Sequence, residues 1–297
     1  MSYVLAFCLA LCWGTAYLAT KNMVEVLSPC WGTFFQVVAG LIFFLFFFRF
    51  RREHFQYPVR ELWRPALISF LLILLPFAAR AWALQYTAPT VAGIFNGTSP
   101  IWSFIAGAIL LKGVDRFTWR RAAGVLMGLA GMIVIMYPQL RASTPENMME
   151  LLGCGALLIM AVSYGLANVL TKKIMVDKTS ISWQANTQYQ YIFAAILLLL
   201  VALITEPLPH LTDFTPKVII SIVCAGVFSS AIAFLLMVAL IKRWGATRMA
   251  SVTYIVPIVA MGTDIIFRGR IPHTTELIGL SLLFISLWLI QKKVDAK

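Results

Sequence analysis

The chain reads as an all-α integral membrane protein with ten transmembrane helices in two inverted five-helix repeats, residues 1–141 and 142–297. Three observations predict this. With 61% hydrophobic and only 12% charged residues over 297 positions, and a mean hydropathy of +0.86, the composition lies outside that of soluble domains. Ten apolar segments follow one another, each near the ~20 residues a helix needs to cross a hydrocarbon core about 30 Å thick. The last five segments echo the first five. Trp13, Tyr17 and Lys21, spaced i, i+4, i+8, return as Tyr164, Asn168 and Lys172, 151 residues later. Trp31 and Gln36 return as Trp183 and Gln188, Pro100 as Pro257 and Gly124 as Gly279, at offsets of 152, 157 and 155. An odd number of spans per repeat inserts the second copy upside down, and paired inverted halves are the physical basis of alternating access in many transporters.

Taken in order, the first span (3–22) has no basic stretch before it, and Trp13-Gly14-Thr15 interrupts it where a signal peptide would be continuous. It is therefore a span of the mature chain. The second (29–48) starts near an interfacial Trp31 and carries Gln36; the third (65–86) carries Arg80. The fourth (88–111) holds Asn96, Ser99 and Ser103 at i, i+3, i+7, with Pro100 among them. The fifth (118–137) bears Gly124, Gly128 and Gly131, a small-residue packing face. The sixth (150–171), seventh (184–204), eighth (216–240), ninth (245–267) and tenth (274–291) repeat the series. Stretches 49–64, 138–149 and 205–215 contain Pro and charged residues and read as loops. No room remains for a soluble catalytic domain.

The net charge of +12 is topological. With the N-terminus inside, 18 of the 24 Lys and Arg fall on inner loops and the C-terminus, among them Arg49, Arg52, Arg60, Arg64, Arg116, Lys178 and Lys293. Only Lys21, Arg141, Lys217, Arg268 and Arg270 fall on the outer side, leaving Arg80 inside a span. This positive-inside bias places both termini in the cytoplasm of an inner (plasma) membrane and speaks against nucleic acid as a partner. The five cysteines lie within or at the edges of spans and read as small buried side chains.

An aromatic-Gly pair opens each repeat (Trp13-Gly14, Tyr164-Gly165). Ala83-Leu84-Gln85-Tyr86-Thr87 runs into Pro100, and Ala239-Leu240 runs into Pro257. With the ten spans and the glycines of the fifth, these features resemble the EamA-type drug/metabolite transporter superfamily over nearly the whole chain. The resemblance implies a carrier of small metabolites with no cofactor. Two departures stand out. The family often has an acid just after the fourth span of each repeat, where this chain has Lys112 and Arg268. Single-repeat multidrug relatives carry a mid-span Glu in their first helix, and this first span has no acid.

Polar groups at membrane depth are costly and face the bundle interior or a water-filled cavity. Arg80 lies six residues before Tyr86, so about 9 Å inside its helix end. It is either a snorkelling side chain or an anchor for a carboxylate, which its planar fork binds bidentately. Trp13, Tyr17, Gln36, Asn96, Ser99, Tyr164, Asn168, Gln188 and Tyr254 are the further candidates for a substrate site, and Pro100 and Pro257 for hinges. Gln36 and Gln188 also fit interhelical hydrogen bonds, and the prolines fit simple kinks. Asp264 is the one acid well inside a span, close to its outer end, so no deep carboxylate offers proton coupling.

His54, His210 and His273 fall in loops on both sides, and no HExxH motif occurs, which excludes a buried metal or hydrolase site. Scattered amides do not make the continuous polar path of a channel. The sequence thus points to a carrier, monomeric or weakly dimeric, held in the lipid bilayer. Its expected substrates are amino acids, their derivatives or related organic anions. Efflux of hydrophobic drugs or toxic metabolites is the alternative reading, and a passive channel a remote one.

Overall fold

The computed structural model describes residues 2–50, 57–110, 119–141, 145–171, 182–244 and 251–291. Among them there is helix, turn and no strand. The basic loop segments 51–56, 111–118, 172–181, 245–250 and 292–297, including Arg52, Lys112, Arg116, Lys172, Lys178, Arg248 and Lys293, lie outside the described residues.

The first half contains α1 (Ser2–Val24), α2 (Pro29–Phe50), α3 (Trp63–Ser69), α4 (Leu75–Tyr86), α5 (Pro89–Gly97), α6 (Ser99–Leu110) and α7 (Trp119–Arg141). The second contains α8 (Pro145–Leu170), α9 (Trp183–Thr205), α10 (Pro216–Val223), α11 (Ala233–Trp244), α12 (Val256–Arg268) and α13 (Thr274–Gln291). Among the described residues, six continuous helical stretches are long and apolar enough to cross a membrane: Ser2–Val24, Pro29–Phe50, Val59–Tyr86, Met148–Leu170, Trp183–Thr205 and Pro216–Met237. Large apolar side chains such as Phe46, Ile204 and Ile266 point outward from the bundle. In water such a surface would be an aggregation hazard; in lipid it is the solvated one.

Two expected spans are not plain helices. The fourth is broken at Thr98, because Pro100 lacks an N–H and disfavours helix at the residue before it. The hydroxyls of Thr98 and Ser99 donate to the carbonyls of Phe95 and Asn96 (both 2.6 Å), which satisfies groups the break exposes. Over its described residues the ninth runs as the 3₁₀ turn Ser251–Tyr254 and then as α12 from Val256, with Pro257 in its first turn. The third and eighth spans are continuous but contain π-helical segments, Phe70–Leu74 between α3 and α4 and Cys224–Ile232 between α10 and α11.

Local chemistry sets the ends. Thr215 caps α10, accepting from the N–H of Val218, with Pro216 behind it. Ser182 caps α9 in the same way. Gly269 stops α12 in the left-handed region (φ 64°), where a side chain would clash with its own backbone. The N-terminus of α2 is capped from the other half: the Glu206 carboxylate accepts from the N–H groups of Cys30 and Trp31 at 3.0–3.1 Å.

α1 lies centrally, packed on α2, α4, α5, α10, α11 and α12. Helices of one half pack on helices of the other: α4 and α6 on α8, α2 and α3 on α9, α7 on α13. The α7–α13 seam is a close one. A Cβ on Gly131 would sit 3.0 Å from the Gly279 carbonyl, and Ser286 donates to the Gly124 carbonyl at 2.6 Å.

Candidate functional site

Arg80 does not snorkel. Its residue is 5% exposed and its guanidinium lies in the middle of the bundle. Nη2 donates to Gln36 Oε1 at 3.1 Å, and the guanidinium carbon lies 4.7 Å from the Phe77 ring centroid and 5.8 Å from that of Tyr17. Aromatic faces at that range attract a cation, more strongly when water is excluded. Nε is buried with no hydrogen-bond partner, and among the described residues no carboxylate lies within ion-pair distance of the group. A buried charge without a counter-ion is expensive.

Helix geometry brings the partners there. Tyr17 of α1 is 3% exposed, and Tyr164 of α8 packs on the same buried cluster as Tyr17. Gln36 of α2 is 1% exposed, with its amide nitrogen 3.3 Å from Ser230 Oγ and 3.5 Å from the Ala225 carbonyl. Of the sequence-predicted residues, Arg80, Tyr17 and Gln36 are thus brought together, with Tyr164 on the adjoining cluster.

The other candidates stand apart from that point or around its edges. Trp13 is half-buried, shared between the central cluster and the one formed by Leu9, Ala233 and Leu240. Asn168 is exposed and donates to Ser103 at 3.4 Å, tying α8 to α6. Asn96 and Ser99 lie on either side of the break at Thr98, with Ser99 Oγ donating to the Asn96 carbonyl. Gln188 is half-buried; the buried amides of α9 are Asn186, bonded to Tyr57, and Gln190. Tyr254 falls in the 3₁₀ turn, and its side chain lies outside the described residues. Pro100 and Pro257 each sit in the first turn of a helix after a break. The sequence reading missed Phe77 and Ser230, although the Ser229-Ser230 pair in an apolar span was a visible signal.

A second polar cluster joins the helix ends on the side assigned outward by charge. The Asp264 carboxylate, fully buried, accepts from Thr90 Oγ1 at 2.8 Å and lies 3.6 Å from Arg270 and 3.8 Å from Arg268. Arg268 also pairs with Glu25 (2.7 Å), Lys217 with Glu25 (3.0 Å), and Arg270 with Glu276 (2.6 Å). Burial raises the Glu25 carboxyl, but hydrogen bonds from Lys217 and Arg268 outweigh it and hold the group below the ordinary range. Lys21 donates to the carbonyls of Leu84, Gln85 and Thr87 at the C-terminal end of α4, where a cation is favoured. The basic Arg268, where the resembled family often has an acid, is engaged in this cluster.

Two stretches of the chain, residues 1–137 and 151–291, match the EamA-like transporter family. The chain belongs to that family. As an EamA-like chain it is a multi-pass membrane protein of a family of transporters. Similar curated proteins include the uncharacterized transporter YvbV of Bacillus subtilis, 25% identical over 99% of this chain and 92% of that one. Protein PagO of Salmonella typhimurium is 20% identical over 96% of this chain and 91% of its own length. A chloroplastic WAT1-related protein of Arabidopsis thaliana is 20% identical over 94% of this chain, which spans 66% of that protein. A solved crystal structure, described only as that of a protein, matches with a TM-score of 0.66 at 19% identity. It covers 97% of this chain and 96% of that one, and it shows the shared fold.

Proposed function

We propose that this EamA-like transporter is an inner-membrane carrier with both termini cytoplasmic. It moves amino acids, amino-acid derivatives or related organic anions by alternating access between two inverted five-span repeats. The two separate family matches, one per half, and the side-to-side packing of helices from opposite halves support the repeat reading. The observation that carries the substrate class is Arg80: a buried guanidinium cushioned by aromatic rings and lacking a carboxylate partner among the described residues. Its fork suits a carboxylate, while Phe77, Tyr17 and Tyr164 suit an apolar or planar body.

Ligand-induced thermal stabilisation tests this, because a compound that binds only the folded state raises the melting temperature. Purified protein is screened against amino acids and organic acids together with their primary amides. The stabilising compounds should carry a free carboxylate. Arg80→Ala should weaken them about 10- to 100-fold, as expected for losing a charged hydrogen bond of about 1.5–3 kcal/mol. Arg80→Lys should restore only part, since an ammonium keeps the charge but not the fork. Amides that bind as well as the acids, or an Arg80→Ala protein that transports normally, would sink the anionic reading and favour efflux of neutral hydrophobic compounds.

A further inference from the structure

The contacts of Gln36 reach beyond Arg80. Its amide oxygen faces the guanidinium, so its amide nitrogen must be held by acceptors, and both lie on the π segment Cys224–Ile232 of the other half. Ser230 joins the two. Its single proton goes to the Ala225 carbonyl at 2.9 Å, leaving its lone pairs to accept from the Gln36 amide at 3.3 Å. Ala225 can serve as an acceptor because a π turn displaces carbonyls from the ordinary i→i+4 ladder.

The first half repeats the device. Its π segment starts at Phe70, and the second starts at Cys224, 154 residues later. The Leu71 carbonyl, one residue into the first segment, accepts from Ser163 Oγ of α8 at 2.6 Å. The Ala225 carbonyl, one residue into the second, accepts from Gln36 of α2. Each π turn thus offers the same carbonyl to a side chain of the opposite half. π turns gather at functional positions in other helices, and here the second one reaches Arg80 through Gln36.

We propose that Ser230 is a positioning residue for Arg80, acting through Gln36. The π turn fixes Ser230 and the Ala225 carbonyl, these fix the Gln36 amide, and the amide holds one arm of the guanidinium so that Nε and the other arm stay turned toward the incoming anion. The specificity for a carboxylate is then set by residues of both halves, not by the arginine alone. This rests on the carboxylate reading of Arg80 for its functional meaning, but the relay itself is read without any substrate.

Modification of purified protein by phenylglyoxal, an arginine-selective reagent, followed by peptide mass spectrometry, reports how tightly Arg80 is held. Ser230→Ala should raise the modification rate at Arg80 several-fold while Arg268 reacts at the wild-type rate, and Ser230→Thr, which keeps a hydroxyl, should return it towards wild type. Gln36→Ala should raise the rate as much, and the double variant no further, because the two residues act in series. Gln36→Glu should instead clamp the guanidinium with a carboxylate and slow the reaction below wild type. An unchanged rate in both Ser230→Ala and Gln36→Ala overturns the relay. With whichever carboxylate stabilises the wild type, Ser230→Ala should narrow the preference for acid over amide about fivefold. A full preference in Ser230→Ala overturns the relay while leaving the Arg80 reading intact. If no carboxylate stabilises the wild type, the Arg80 reading falls and the modification rates still decide the relay.

Discussion

Gly226→Ala tests the packing that carries the relay. Gly226 lies in the second π segment where it presses on α2, and a Cβ there would sit 2.3 Å from the Gln36 carbonyl oxygen and 2.8 Å from Ala39 Cβ. The obstacle is backbone, which cannot rotate away, so the two segments must part by about 1 Å to reach ordinary contact. Overpacking of this kind costs about 1–3 kcal/mol. The Gln36 bonds to Ser230 and Ala225, already 3.3 and 3.5 Å long, do not survive such a shift, and each is worth about 0.5–1.5 kcal/mol. The expected loss is about 2–6 kcal/mol, a large share of what holds most proteins folded. Gly155→Ala is the matched control, because nothing lies within 4 Å of its added Cβ. On α8 it should be neutral or stabilise by up to about 1 kcal/mol, as alanine does in a helix interior. Reversible unfolding in mixed micelles, followed by tryptophan fluorescence, gives both numbers. A Gly226→Ala protein that unfolds at the same point as Gly155→Ala would refute the close approach of α2 and the π segment.

Glu25 titrates below the ordinary carboxyl range in the folded chain, so its contribution to stability is present above the unfolded value of about 4.3 and is lost as pH falls through the lower folded one. Glu25→Gln should therefore be less stable than wild type near neutral pH and converge with it in acid, measured as unfolding midpoint against pH; parallel curves would contradict the pairing with Lys217 and Arg268. For the orientation, single cysteines at Glu146 or Asp213 should react with an impermeant thiol reagent from outside intact cells, and one at Arg52 should not; the reverse pattern would invert the topology. Pro100→Ala and Pro257→Ala should each change transport rate more than equilibrium binding if the helix breaks beside them are hinges. Unaltered transport in both, and in the double variant, would reduce them to static kinks.

Much of the architecture was open to a reader of the chain because membrane helices announce themselves by length and composition. The starts at Pro29, Pro89, Trp183 and Pro216 and the stop at Gly269 follow from local chemistry that sequence displays. Pro100 marked a disturbance but not its form, since a kink and a full break at Thr98 look alike until the hydroxyls of Thr98 and Ser99 are seen to absorb the exposed carbonyls. The π segments were invisible. Phe70–Leu74 reads simply as Phe-Leu-Leu-Ile-Leu, and its extra backbone width answers to contacts with α8 that lie far along the chain. In the site, Arg80 and Gln36 each stood out as buried polar residues, yet their pairing depends on how α2 crosses α4. Ser230 passed as an ordinary span residue because serine is not rare there. Glu206, read as a loop acid, caps a helix 176 residues away, and no local pattern records such a contact.

The ion pairs at the outward-assigned end have a meaning for the carrier as a machine exposed to its surroundings. Of those charged groups, Asp264 and Glu276 are enclosed, while Glu25, Lys217, Arg268 and Arg270 keep part of their surface open. Dissolved salt screens open charges and leaves packed apolar faces, such as the seam between α7 and α13, nearly untouched. The two ends of the bundle's cohesion thus answer differently to ionic strength: raising it slackens the open pairs, and the α7–α13 seam stays as it was.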